Sequence, residues 1–83
     1  MYLHLGEKTV IRTENIVGIF DLDNTTVKKS TRNFLKTAQN NKEVVNVSFE
    51  LPKSFIVCVE NGEKKVYISQ IAATTLYKRI KNI

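Results

Sequence analysis

The chain has 83 residues, 42% of them hydrophobic, with only three glycines and one proline. This composition fits a globular protein and excludes a disordered or collagen-like chain. Thirteen Lys and Arg residues against eight Asp and Glu residues give a net charge of +5. That charge favours a polyanionic partner such as nucleic acid, an anionic membrane or an acidic protein, although many ordinary small domains carry a similar excess.

The N-terminal residues Met1–Gly6 lack the basic start and the apolar run of a signal peptide. No stretch approaches the roughly 20 apolar residues that a membrane span requires. The single cysteine, Cys58, cannot form an intrachain disulfide, and its apolar neighbours predict a small buried thiol. We therefore expect a cytoplasmic protein with one domain over residues 1–83 and, at this length, a modest core.

The first half of the chain begins with strand patterns. Residues 2–5 and 8–12 predict two short strands joined by a tight turn at Gly6-Glu7. After a polar interruption at residues 13–15, the run Ile16–Phe20 is apolar throughout. Such a run predicts a third strand that is buried on both faces.

From Thr25 or Thr26 the spacing of apolar residues becomes helical. One stripe of the predicted helix carries Val27, Thr31, Phe34, Leu35 and Ala38. The other side is basic and carries Lys28, Lys29, Arg32 and Lys36. The helix is expected to end near Asn40-Asn41, because Asn tolerates the left-handed conformation of a helix stop.

The second half returns to strands and closes with a helix. Residues 44–49 predict a strand that Pro52 interrupts or ends. Residues 54–60 and 63–69 predict a hairpin around Asn61-Gly62, a dipeptide that readily adopts positive φ. Ser69 is expected to cap the last helix. Its buried side would carry Ala72, Ala73, Leu76, Tyr77, Ile80 and Ile83, and its outer side Lys78, Arg79 and Lys81. The order β-β-β-α-β-β-β-α indicates an α+β fold with a small, mostly antiparallel sheet and two helices.

One motif suggests catalysis. The segment from Ile19 to Thr25 resembles the Asp-x-Asp-x-Thr motif of the haloacid-dehalogenase superfamily, with Asp21 and Asp23 in the places of the nucleophile and the general acid/base. That superfamily has a longer, doubly wound sheet and a late acidic cluster for Mg²⁺, whereas a hairpin is predicted here. We therefore interpret Asp21, Asp23 and Asn24 as a strand end opening into a loop.

No other constellation supports catalysis, a metal or a cofactor. His4 is the lone histidine and has no Cys or His cluster nearby, so an ordinary sheet histidine is expected. The three glycines are isolated, at positions 6, 18 and 62, and form no phosphate-binding loop. The sequence predicts a binding protein without a cofactor and not an enzyme.

The basic residues offer a DNA-binding surface. Lys28, Arg32 and Lys36 lie four residues apart on one side of the first helix, and Lys29 is a further candidate contact beside them. Lys53 and Arg12 lie next to predicted strands. Cations spread over loops and a helix face can follow the phosphates of DNA. An ordinary solvated helix face is the alternative. An aromatic stacking platform of the RNA-binding type is not evident.

The chain as a whole resembles the RemA/RemB family of bacterial regulators of extracellular-matrix (biofilm) genes, and its RemB branch most closely. The resemblance runs nearly end to end. It rests on residues 1–6, on 15–21, on Leu51-Pro-Lys-Ser-Phe-Ile-Val57, and on 66–69 leading into 75–79. No single piece is diagnostic, but their order and spacing are specific.

This resemblance implies a transcriptional regulator that assembles into rings and binds double-stranded DNA without a cofactor. It also implies DNA contacts from arginines before the third strand and from the segment that leads into residues 54–60. In this chain the first position offers Arg12 and Asn15, and the second offers Lys53. The second position departs from the family because Leu51-Pro52-Lys53 replaces an arginine pair, and lysine cannot make the bidentate guanine contact of arginine.

Two other functions compete with a homo-oligomeric DNA-binding regulator. A scaffold subunit of the same fold without direct DNA contact is favoured by the missing arginine pair. DNA contact within a mixed assembly, with a RemA-like paralogue as partner, is a variant of the first function. Membrane binding is disfavoured, because neither predicted helix combines a basic face with exposed large apolar residues.

Overall fold

The computed structural model of the chain describes residues 1–22 and 28–81. Strands β1 (Tyr2–Gly6) and β2 (Thr9–Arg12) form an antiparallel two-stranded sheet, followed by a 3-10 turn at Thr13–Asn15. The turn between the strands is one residue later than predicted. Glu7 and Lys8 form it, and Gly6, with φ of 116°, ends β1 at a break in the register.

The larger sheet contains β3 (Ile16–Asp21), β4 (Val44–Asn46), β5 (Ser54–Glu60) and β6 (Glu63–Ser69). Its strand order is β3-β5-β6-β4; β4 is parallel to β6, and the other two pairings are antiparallel. The β5–β6 hairpin is confirmed, with φ of 52° at Asn61 and 81° at Gly62. These paired positive φ values are those of the two-residue turn that asparagine-glycine favours.

Two helices complete the α+β fold that the sequence predicts: α1 (Lys29–Asn40) and α2 (Ala73–Lys81). Helix α1 connects β3 to β4, which lie on opposite edges of the larger sheet. The connection therefore crosses β5 and β6. No helix in the two described ranges is long and apolar enough to cross a membrane.

The main core lies between one face of the larger sheet, the β1–β2 hairpin and α2. Its fully buried members include Leu3, Leu5, Ile56, Cys58 and Leu76. Cys58 is thus the buried thiol that the sequence predicts. A second cluster lies on the opposite face, where Phe34, Leu35 and Ala38 of α1 pack against the sheet. Its sheet members include Phe55, Val57 and Val66.

The prediction that the third strand is buried on both faces is wrong for β3. Only Ile19 is buried among its residues, whereas Val17 is 67% exposed and Phe20 is 46% exposed. The reason is the topology, because β3 is an edge strand and α1 packs toward β4 at the other side of the sheet. An apolar run alone cannot distinguish a central strand from an edge strand with an uncovered face.

The end of α1 also differs in detail from the expectation. Asn41 has φ of −86°, and the left-handed residue is Lys42, with φ of 60°. The Lys42 amide donates to the Gln39 carbonyl, and the Glu43 amide donates to the Ala38 carbonyl. This pair of bonds is a Schellman stop. The helix therefore ends where predicted, but a lysine occupies the position that favours glycine.

Two further boundaries were predicted differently, the end of β4 and the start of α2. Strand β4 ends at Asn46, so residues 47–53 form a loop instead of continuing the strand. Ser69 belongs to β6, and α2 begins only at Ala73. The buried Ser69 hydroxyl donates to the Leu5 carbonyl at 2.6 Å and accepts from the Ile71 amide at 3.0 Å. It therefore ties two chain segments together and does not cap the helix.

Some residues that were predicted to belong to the two helices lie outside the described ranges. The expected start of α1 at Thr25 or Thr26, and Val27 of its apolar stripe, fall there, and so does Ile83 of α2. Tyr77, expected on the buried side of α2, is 48% exposed. Its hydroxyl donates to the carbonyl of Ile19 at 2.9 Å, so its outer end still contacts β3.

Candidate nucleic-acid interface

The first predicted DNA-binding position lies at one end of the larger sheet. Arg12 ends β2, and Asn15 belongs to the 3-10 turn that leads into β3. Both line a shallow depression with Glu60 and Asn61 of the β5–β6 hairpin. The side chain of Arg12 is 63% exposed, and its Nε lies 3.4 Å from Oε2 of Glu14. Arg12 is therefore accessible but already has a carboxylate partner.

Glu14 is fixed by several donors. The N-terminal ammonium of Met1 and the hydroxyl of Thr13 each lie 3.0 Å from its Oε1. These hydrogen bonds, led by that of the ammonium group, lower the pKa of Glu14 to about 2. The carboxylate is thus ionised at neutral pH and competes with any external anion for Arg12.

The second predicted position, Lys53, lies at the other end of the sheet. Its amide donates to the Ser69 carbonyl and its carbonyl accepts from the Leu22 amide, both at 2.8 Å. The backbone is therefore fixed while the side chain is exposed. The whole length of β5 separates this position from the Arg12 end, which corresponds to roughly 20 Å at about 3.3 Å per residue.

The basic residues of α1 lie at the same end as Lys53. Lys28 precedes the helix, and Lys29 and Arg32 lie in its first turn and are exposed. Since β3 ends beside Lys53 and α1 follows β3 in the chain, the start of α1 belongs to this end of the sheet. The first turn of α1 contains no acidic residue. Within the described ranges, the salt bridges that the structure shows involve other cations.

The six predicted residues thus form two groups. Lys28, Lys29, Arg32 and Lys53 lie at one end, which we call the lysine end. Arg12 and Asn15 lie at the other, which we call the Arg12 end. A single chain does not bring the two groups together, and the sequence could not reveal this because it depends on the direction of β3 and β5.

Three other basic side chains, those of Lys64, Lys65 and Arg79, interact with groups of the same chain. Lys64 Nζ lies 3.3 Å from Glu43 Oε1 and 5.1 Å from the centre of the Phe34 ring. Lys65 pairs with Glu60 at 3.3 Å. Arg79 Nη1 donates to the His4 carbonyl and so joins α2 to β1. These side chains are poor candidates for DNA contact, because binding an external phosphate would break an internal interaction.

Two apolar surface features were not predicted. The first, the apolar cleft, is an open hollow of about 350 Å³ between β3, β5 and α1. It is lined by Val17, Phe20, Ser30, Thr31, Phe34, Phe55 and Val57. The second, the apolar loop, comprises residues 47–53, in which Phe49 is fully exposed and Leu51 is 80% exposed. Two large apolar residues beside Pro52 were a usable signal for this loop, whereas the cleft required knowledge of the strand order.

Among the described residues, the titratable side chains that the sequence singled out for chemistry lie on three different strands. His4 is exposed on β1, with Nε2 2.9 Å from the Glu7 carbonyl oxygen. Burial raises the pKa of the Cys58 thiol to about 11. Asp21 ends β3, whereas Asp23 lies outside the described residues. In the described ranges, no three His, Cys, Asp or Glu side chains are grouped as metal ligands.

Comparison with known proteins extends these observations. Residues 2–80 match the RemA-like family, described as extracellular matrix regulatory protein A-like. The chain is also 40% identical over 79 residues to the extracellular matrix regulatory protein B of Bacillus subtilis (strain 168). That match covers 95% of this chain and 89% of the relative. These two matches confirm the resemblance found in the sequence, and the chain belongs to the RemA-like family.

Proposed function

We propose that this protein is an oligomeric, double-stranded DNA-binding transcriptional regulator of extracellular-matrix genes, located in the cytoplasm. The names of the family and of the relative describe regulatory proteins, which favours binding over catalysis. The net charge of +5 agrees with a polyanionic partner. No cofactor is needed for this function.

The observation that carries the DNA-binding proposal is the lysine end. A helix N-terminus carries a partial positive charge, so Lys28, Lys29 and Arg32 raise the electrostatic energy of the free protein there. A phosphate would relieve this repulsion and could also accept from the free amides of the first turn. Lys53 adds a further cation at the same end.

Assembly would strengthen contacts that are individually weak. Each chain offers a few phosphate contacts, and the Arg12 end and the lysine end lie roughly 20 Å apart along β5. In a homo-oligomeric ring, both ends would recur around the assembly, and each additional contact would become intramolecular. A mixed assembly with a RemA-like paralogue would supply arginines that this chain lacks at residues 51–53.

Gel-shift titrations at several salt concentrations test DNA binding. The affinity for a duplex should fall steeply with salt, and each lost phosphate contact should reduce the slope of log K against log salt by about one unit. We expect this reduction for Arg12→Ala and for Lys53→Ala. Lys78→Ala, which removes an exposed cation of α2, is the matched control and should leave the slope nearly unchanged. Absence of any shift at low salt would exclude direct binding.

A second candidate function is a scaffold subunit without direct DNA contact. The observation in its favour is the apolar loop, because Phe49 and Leu51 expose carbon surface close to Lys53. Exposed apolar residues of this size often mark protein-binding surfaces. An assembly that is stable in light scattering but fails to shift DNA at low salt would support the scaffold.

A further inference from the structure

The turn of the β5–β6 hairpin carries a chemically reactive dipeptide. Asn61 is the one asparagine of the chain that a glycine follows, and both residues of the pair are exposed. Because glycine has no Cβ, other groups can approach its backbone closely. A Cβ added at Gly62 would meet no atom within 4 Å, so the space around the turn is open. The dipeptide therefore favours a reaction between the Asn61 side chain and the Gly62 nitrogen.

The strand pairing leaves the Gly62 nitrogen outside the β-ladder. The last pair in the register of β5 with β6 is Glu60 with Glu63. Asn61 and Gly62 lie beyond this pair, with φ of 52° and 81°. An exposed hairpin tip can open locally while the rest of the hairpin stays paired, since few buried contacts hold it. The backbone can therefore rotate to bring the Gly62 nitrogen onto the Asn61 side chain without unfolding the core.

The reaction is deamidation through a cyclic imide. The Gly62 amide loses its proton to water or hydroxide, and its nitrogen forms a bond to Cγ of Asn61. The C–N bond of the side-chain amide breaks, and ammonia leaves with a proton taken from the solvent. Water then opens the imide at either carbonyl, which gives aspartate or its isomer with the main chain running through the β-carbon. The net change consumes one water and releases one ammonia, so no oxidant or cofactor is needed.

Asn61 lies beside the predicted DNA contact at the Arg12 end. It lines the same depression as Arg12 and Glu60. Glu60 already accepts from the Tyr67 hydroxyl at 2.8 Å and pairs with Lys65 at 3.3 Å, so its charge is engaged within the hairpin. Either deamidation product adds a carboxylate that is ionised at neutral pH. This carboxylate would be a further anion next to Arg12 and would compete with phosphate there.

From these observations we infer that Asn61 is a site of spontaneous deamidation, and that the carboxylate formed there weakens phosphate binding by Arg12. The modification requires no enzyme, so its extent rises with the age of each molecule. The first half of the inference is independent of DNA. The second half rests on the proposed function and adds a regulation of the same site.

Peptide mapping by mass spectrometry tests the reaction. The folded protein is incubated at mildly alkaline pH, and the conversion of each asparagine to aspartate or isoaspartate is followed over time. The unmodified Asn61 peptide should be lost first. Asn15, Asn33 and Asn46 are internal controls, because a bulky residue (Ile, Phe or Val) follows each of them, and they should persist. Conversion of Asn61 no faster than that of these three would overturn the inference.

Two variants separate the effect of the charge from that of the turn. Asn61→Gly and Asn61→Asp both suit the two-residue turn, so both should keep wild-type circular dichroism and urea unfolding. Asn61→Gly cannot deamidate and should bind DNA equally well before and after incubation, whereas the wild type should lose gel-shift affinity in step with conversion. Asn61→Asp should bind more weakly from the start, with the slope of log K against log salt reduced by up to about one unit.

An Arg12→Ala background provides the last control. There, Asn61→Asp should change the salt slope little, because the cation on which it acts is gone. Equal losses with and without Arg12, or an unchanged affinity of Asn61→Asp, would overturn the second half of the inference and leave the regulator proposal resting on the lysine end. If the wild type fails to shift DNA at low salt, the second half fails together with the proposed function. Peptide mapping alone then decides the first half.

Discussion

At the scale of single residues, Arg12 shows how the fold adjusts a candidate DNA contact. Its guanidinium is accessible, but Glu14 lies 3.4 Å away and is held ionised by the N-terminal ammonium and by Thr13. The pair is exposed, and solvent and salt screen exposed pairs, so its contribution is small. Glu14 therefore limits the affinity of Arg12 for phosphate without abolishing it.

Replacing Glu14 by Gln should strengthen DNA binding if Arg12 contacts phosphate. Freeing Arg12 from an exposed pair should give a modest gain in affinity at low salt that fades as the salt concentration rises. Glu63→Gln makes the same charge change at an exposed position of β6 and is the control. Gel-shift titrations of the two variants compare them directly, and equal gains would mean that only total charge matters.

Ser69 is a residue whose role the sequence did not reveal. Its hydroxyl both donates and accepts within the core, whereas the Ser54 hydroxyl only donates, to the Ile71 carbonyl at 2.7 Å. Ser69→Ala leaves two groups without a partner and should lower the free energy of unfolding by about 2–3 kcal/mol. Ser54→Ala should lower the free energy of unfolding by a smaller amount. Urea unfolding measures both, and the reverse order would contradict this account of the core.

Two buried side chains predict loss of stability in alkali. Burial raises the pKa of Cys58 from 9.0 to about 11, and burial together with a hydrogen bond to Glu60 raises the pKa of Tyr67. Both groups release protons more readily in the unfolded chain, so stability present below pH 9 is lost as pH rises toward 11. Cys58→Ala should make this decline shallower. An unchanged slope in urea unfolding at pH 8–10.5 would contradict the assignment.

At the scale of elements, the stop of α1 offers a direct test. Lys42 adopts φ of 60°, a conformation that costs a side-chain-bearing residue about 1 kcal/mol relative to glycine. Lys42→Gly should therefore stabilise the protein by up to about 0.5 kcal/mol, because the entropy that glycine loses on folding, about 0.5–1 kcal/mol, offsets much of the relieved strain. Lys42→Ala removes the same charge but keeps the strain and should give no gain. Thermal or urea unfolding distinguishes the two variants.

The elements also show what could be predicted from the sequence. The β5–β6 hairpin, α1 and α2 follow from local signals, namely Asn61-Gly62 and helical spacing, and these predictions are confirmed. The exposure of β3 was predicted wrongly because burial depends on which strand lies beside it. The distance between Arg12 and Lys53 could not be predicted from the sequence either, because it depends on the direction of the paired strands. Candidate residues could be named from the sequence, but not their grouping.

At the scale of the whole molecule, a small fold exposes both apolar and basic surfaces that a second molecule could cover. The apolar cleft and the apolar loop are suited to another protein surface, and the basic ends are suited to phosphate.

Size-exclusion chromatography with light scattering, with and without a duplex at low salt, tests the central claim most directly. The account predicts that the protein alone elutes as an assembly of several chains. With duplex present, protein and DNA should elute together, and they should separate as the salt concentration is raised. A monomer that leaves the duplex at its own elution volume in low salt would contradict it.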